Sequence, residues 1–163
     1  MTTRVARDFV QRSVLAWMCG LATAAAAVAT PTLADCGTAG SQARLQVKVS
    51  GLANSKGNVT ITLYPDDPDQ FLAKRGKIAR QRVPAATPLT EACFALPSAG
   101  GYAVAVYHDA NGDHDFNRRL TGLPAEGYGF SNNPVTRLGL PSLKDVRFTA
   151  VNGDNPVYIK LTY

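Results

Sequence analysis

Apolar residues return at every second position in one short run after another. Leu45, Val47 and Val49 alternate with Gln46, Lys48 and Ser50; Val59, Ile61 and Leu63 alternate with Thr60, Thr62 and Tyr64. Val146 and Phe148 alternate with Arg147 and Thr149, and Val157, Ile159 and Leu161 with Tyr158, Lys160 and Thr162. Side chains point to opposite faces of a strand at successive positions, so this spacing buries one face of each run and suits no amphipathic helix. The Asn54-Ser55-Lys56-Gly57 break predicts a hairpin joining the first two runs, and Asn152-Gly153 makes the turn between the last two. With no long helical pattern among them, these runs predict an all-β fold, an antiparallel β-sandwich of immunoglobulin or transthyretin type. It has about seven strands and one long irregular loop.

Two strands remain. Ala92 to Leu96 is a short one carrying Cys93, and the Pro97 to Gly101 turn leads into a central strand from Tyr102 to His108. That strand is apolar on both faces, with Tyr102, Val104 and Val106 on one and Ala103, Ala105 and Tyr107 on the other. Its second face therefore needs a cover. The expected cover is the excursion over residues 117–141, rich in proline and glycine and without periodicity. Earlier in the chain, Asp69 is the expected cap of a helical turn through Gln70, Phe71 and Leu72. The basic run Lys74, Arg75, Lys77, Arg80 and Arg82 reads as a solvated strand face or loop, with an anionic surface such as lipid headgroups as the alternative.

The first 34 residues read as a secretory signal. Arg4, Arg7 and Arg12 precede an apolar, alanine-rich run over residues 14–29, and Thr32-Leu33-Ala34 offers small residues for cleavage before Asp35. Residues 35–163 are then one domain, exported to the periplasm or outside the cell, with no transmembrane segment in the mature chain. A length of 163 residues with 45% hydrophobic and 18% charged residues accommodates such a core. The signal holds three arginines and Asp8, so the formal charge of +5 overstates the basicity of the mature chain and argues for no nucleic-acid partner. Its loss also removes Cys19, leaving Cys36 and Cys93 as a pair for which a disulfide is the expectation in an oxidising compartment, against two independent thiols.

The chemistry concentrates where the central strand ends. Asp109, Asn111, Asp113, Asp115 and Asn117 place oxygen-bearing side chains at alternate positions, the layout of a cation-wrapping loop, with Glu126 within reach from the following segment. Calcium is the ion such oxygens suit. The loop is not an EF-hand, since His114 and Leu120 stand at positions six and twelve, where glycine and glutamate are needed. A solvated turn around Asn111-Gly112 explains the same residues without a metal. His108 and His114 offer a second set, for zinc or copper, though His108 shares the parity of Val104 and Val106 and reads equally as a hydrogen-bonded histidine at the core rim. Farther on, Glu126, Tyr128, Phe130, Ser131, Asn132 and Asn133 mix aromatic, amide, hydroxyl and acidic groups able to hold a sugar or an extended peptide. Alternatively, Tyr128 and Phe130 fold inward and staple the excursion to the sheet.

The strings HDANGDHDFN and TGLPAEGYGFSNN, over residues 108–117 and 121–133, resemble the signature of a family of secreted bacterial proteins, domain of unknown function 2141. The resemblance extends from about Leu45 to Tyr163. It implies a small exported β-sandwich-like domain and brings no catalytic residues with it. His114 stands where the pattern has glycine, which bears on whether a left-handed turn is kept there.

These readings converge on an exported, non-catalytic binding or structural module whose working edge is residues 109–133. Its partner is an unidentified ligand or cell-envelope component. A hydrolase using Asp109, Asp113 or Glu126 as acid and base is the alternative, without any recognisable nucleophile elbow, zinc helix or phosphate loop to support it.

Overall fold

The computed structural model describes Cys36, residues 42–136 and residues 139–163. The expected signal segment and the cleavage point before Asp35 lie outside these residues. In chain order the strands are β1 (Ala43–Ser50), β2 (Asn58–Pro65), β3 (Ala79–Pro84), β4 (Leu89–Leu96), β5 (Gly100–Asp109) and β6 (Tyr128–Phe130). A single helical turn, α1 (Leu143–Val146), precedes β7 (Phe148–Ala150) and β8 (Gly153–Lys160). No helix among the described residues is long and apolar enough to cross a membrane.

The strands form two unclosed sheets in a sandwich-like arrangement. One has the order β4-β1-β8; the other has β3-β2-β5-β6, with β7 also paired to β5. Leu45, Val47 and Val49 of β1 meet Val59, Ile61 and Leu63 of β2 and Val104 and Val106 of β5 in one buried cluster, so the alternating residues of both sheets face each other. Cys36 is bonded to Cys93 of β4 with a Cα–Cα distance of 4.8 Å.

Several local expectations are corrected. β1 and β2 do not form a hairpin: they lie in different sheets, and the chain crosses between sheets over residues 51–57, with Gly51 and Gly57 at φ of 78° and 67°. A strand with one buried face shows the same alternation whether its neighbour lies beside it or opposite it, which is why periodicity alone suggested a hairpin. The Asn152-Gly153 turn likewise joins strands of different sheets, and β8 pairs with β1 in parallel, from Ala43 opposite Gly153 to Ser50 opposite Lys160, so the sandwich is not purely antiparallel. Val146 belongs to α1, where it and Leu143 turn inward. Finally, the turn before Leu72 is organised by Asp67, not Asp69: its carbonyl accepts from the N–H groups of Gln70 and Phe71 at 3.1 and 3.0 Å.

The second face of β5 is covered, although by more than the excursion. Ala103 packs with Tyr64, Phe130, Leu143 and Val146, and Phe71, Leu72 and Tyr128 join them. β2 is consequently buried on both faces from Val59 to Tyr64. The arginines of β3, Arg80 and Arg82, are exposed on its outer side, as are Lys74, Arg75 and Lys77 before it.

Candidate functional site

Asp109 closes β5 and is fully buried. Its Oδ1 accepts from the N–H groups of Gly112 at 2.7 Å and Asp113 at 3.1 Å, and its Oδ2 from that of His114 at 3.0 Å. The loop thus wraps its own backbone around one carboxylate. That wrapping needs left-handed residues at Gly112 and His114, with φ of 74° and 68°, so histidine keeps the turn that glycine would make. Gly57 is fixed for a related reason: a Cβ there would sit 2.0 Å from the Asp109 carbonyl oxygen.

Beyond Asp109 the loop's side chains bond mostly to one another. Asn111 donates from Nδ2 to Asp113 at 2.8 Å and to Asn117 at 3.0 Å, while Asp113 Oδ1 accepts the Asp115 N–H at 2.9 Å. That N–H and the Asn117 and Asn111 amides hold the exposed Asp113 carboxyl below its ordinary range. The chain then doubles back in a small hairpin, with a bridge between Arg118 and Pro124 and the Ala125 N–H on the Asn117 carbonyl at 3.0 Å. The hairpin returns Glu126 to the end of β5, where its Oε2 accepts the Asn117 N–H at 3.1 Å. Gly127 is pressed against the Tyr163 ring, and its carbonyl accepts the His108 N–H at 2.8 Å.

Of the six residues expected to hold a metal, Asp109, Asp113 and Glu126 converge, each offering a carboxylate oxygen within 4.8 Å of the others. Asn111 and Asn117 brace the loop, and Asp115 stands exposed outside the cluster. Burial, together with the nearby Asp109 and Asp113 charges, pushes the Glu126 carboxyl up, against the pull of the Asn117 N–H and His108. Calcium binds oxygens at about 2.3–2.6 Å, so two ligands across one ion lie at most about 5 Å apart, and this spacing fits.

The histidines do not join the cluster. His108 is buried, with Nδ1 2.8 Å from the Tyr163 hydroxyl and Nε2 2.8 Å from the Lys56 carbonyl, so both ring nitrogens are engaged within the fold. His114 is exposed on the turn.

The later candidates mostly hold the excursion in place. Ser131 is buried, accepts the Val104 N–H at 3.0 Å and donates to the Val146 carbonyl at 2.5 Å. Asn132 donates to the Arg147 carbonyl at 2.8 Å. Asn133 brackets β8, donating to the Tyr158 carbonyl at 2.9 Å and accepting the Lys160 N–H at 2.7 Å. Tyr128 and Phe130 pair across from Tyr107 and Ala105 on the outer face of the five-stranded sheet. There they line a depression with Phe116, Tyr64 and Arg80, none of which stood out in the sequence as a site residue. Their one legible signal was Thr60, Thr62 and Tyr64 sharing a strand face, since β-branched and aromatic residues suit a covered face.

A family profile with the description "uncharacterized protein conserved in bacteria (DUF2141)" matches residues 47–158. No curated protein and no solved structure matches the chain.

Proposed function

The chain belongs to the domain of unknown function 2141 family, and on that premise we propose that it is an exported, non-catalytic binding module whose edge over residues 109–133 is organised by a calcium ion. The observation that carries this reading is the convergence of Asp109, Asp113 and Glu126 from two separate segments. Three like charges, one of them on the fully buried Asp109, repel one another, and a divalent cation relieves that repulsion. The donor set is entirely hard oxygen, which suits calcium, while magnesium demands tighter octahedral geometry. Export is supported by the Cys36–Cys93 bridge, since structural disulfides belong to oxidising compartments. It is tested by N-terminal sequencing of the exported protein, expected to begin at Asp35.

The non-catalytic reading is favoured over the carboxylate hydrolase by Asp109, which is turned inward with both oxygens accepting backbone N–H groups. A carboxylate pair working on a substrate must instead face a shared cleft.

Thermal melts in chelator and in millimolar calcium test the ion. Binding to the folded state alone stabilises by about 2.7 kcal/mol at a hundredfold excess over Kd, and Asp113→Ala should abolish that rise. Superimposable curves for the unaltered protein would end the calcium reading and leave the loop as a turn that satisfies its own backbone.

A further inference from the structure

We propose that the outer face of the five-stranded sheet carries a binding site for a small organic anion with an aromatic body, seated over Thr62 and Ala105 and met by the guanidinium groups of Arg80 and Arg118. Thr62 and Ala105 are opposite each other across β2 and β5, and both are small. On the same face their neighbours are large: Tyr64 lies two residues beyond Thr62, Tyr107 two residues beyond Ala105, and Phe130 and Tyr128 stand opposite Ala105 and Tyr107 on β6. Small residues flanked by rings leave a depression in the sheet surface. It has a volume of about 220 Å3.

The wall holds five rings, Tyr64, Phe130, Tyr128, Phe116 and Tyr107, and Phe71, outside the lining, links the first two. From Tyr64 the chain of edge contacts runs to Phe71 at 5.5 Å, Phe130 at 6.4 Å, Tyr128 at 6.1 Å, Phe116 at 6.1 Å and back to Tyr107 at 5.6 Å. Rings locked edge to face by one another cannot easily collapse into the space they enclose, and they offer a planar guest the tilted contacts aromatic groups prefer. An apolar cavity of roughly 150 Å3 holds benzene, so this depression suits a body of one or two fused rings.

The open side is positive. Arg80 lies opposite Thr62 on β3, with its Nε 3.0 Å from the Thr62 hydroxyl, and Arg118 stacks over Phe116 at 5.4 Å. Among the described residues neither arginine has a carboxylate within ion-pair distance, although other arginines in the fold do. Two cations beside an aromatic cup recognise an anionic head on an aromatic body, since charge-assisted hydrogen bonds to guanidinium are the strong ones.

The site deepens the reading of residues 109–133 as a binding edge, because Phe116, Arg118, Tyr128 and Phe130 belong to that edge, but it requires no calcium. The test is therefore run in chelator, on the protein as the cell produces it, by titrating amide NMR spectra with 2-naphthoate. Saturable shifts centred on Thr62, Ala105, Tyr107 and Tyr128 are expected. Arg80→Gln and Arg118→Gln together should weaken 2-naphthoate by about tenfold or more, the scale of one charged hydrogen bond, and leave the neutral 2-naphthalenemethanol unchanged. Ala105→Leu should fill the floor and remove binding of both. No saturable shift at these residues, or equal affinity for acid and alcohol, would overturn the proposal; because Arg80 also bonds the Thr62 hydroxyl, unchanged binding of the neutral alcohol is the check that the double variant keeps its fold. A protein that binds 2-naphthoate yet melts identically with and without calcium would retain this site and lose only the ion.

Discussion

Glu126 shows at the scale of one residue how fold and site chemistry oppose each other. Its carboxyl is pushed up by burial and by two acidic neighbours. A group with a folded pKa above its unfolded value binds protons more readily in the native state, so stability falls as pH rises from the ordinary carboxylate range through the raised value. Glu126→Gln keeps an oxygen for the Asn117 N–H and removes the charge. In chelator at neutral pH it is expected to melt higher than the unaltered protein and to flatten that pH dependence, while losing any response to calcium. A lower melt at neutral pH would mean that the charge is compensated within the fold. The sequence displayed all six oxygen-bearing residues but not which three meet, because their meeting depends on the hairpin bridged by Arg118 and Pro124, and neither residue announces a strand.

Among the elements, β6 carries more than its three residues suggest. It pairs with β5, sends Tyr128 and Phe130 to the outer face, and is followed at once by Ser131, which ties β5 to α1. Its middle residue, Gly129, faces the other way, where a Cβ would come within 2.7 Å of Ile159 in the opposite sheet. Phe130→Ala should cost about 3–5 kcal/mol in a denaturant melt, the usual loss for a deleted core aromatic. An unchanged midpoint would show that the excursion is held by its backbone bonds alone. The sequence allowed both an exposed and a packed Tyr128 and Phe130, and the structure buries Phe130 against the sheet while leaving Tyr128 half-buried. The strand itself was not legible, since Tyr-Gly-Phe between glycines and amides is too short to show a period.

Across the whole molecule, the paired alternation of both sheets was readable and their connectivity was not. Every strand with one buried face satisfies several topologies, and only the crossings between the sheets, at residues 51–57, 85–88, 97–99 and 151–152, decide among them. The disulfide adds a constraint of the same range, closing 57 positions between Cys36 and Cys93. Loop entropy puts its contribution at about 4 kcal/mol, so reduction should lower the denaturant midpoint strongly, and unreduced peptide mass spectrometry should recover the joined pair. The parallel pairing of β1 with β8 carries a further implication, one of timing. Arg44 and its partner Asp154 are 110 positions apart, and β1 is the middle strand of its sheet. A ribosome releases β1 first among the strands and β8 last, so throughout synthesis the centre of that sheet has one edge with nothing to pair. Contacts so distant in sequence close slowly and leave strand edges exposed meanwhile. A chain built this way stays unfinished until nearly all of it has emerged, which is the condition that threading through a narrow channel requires.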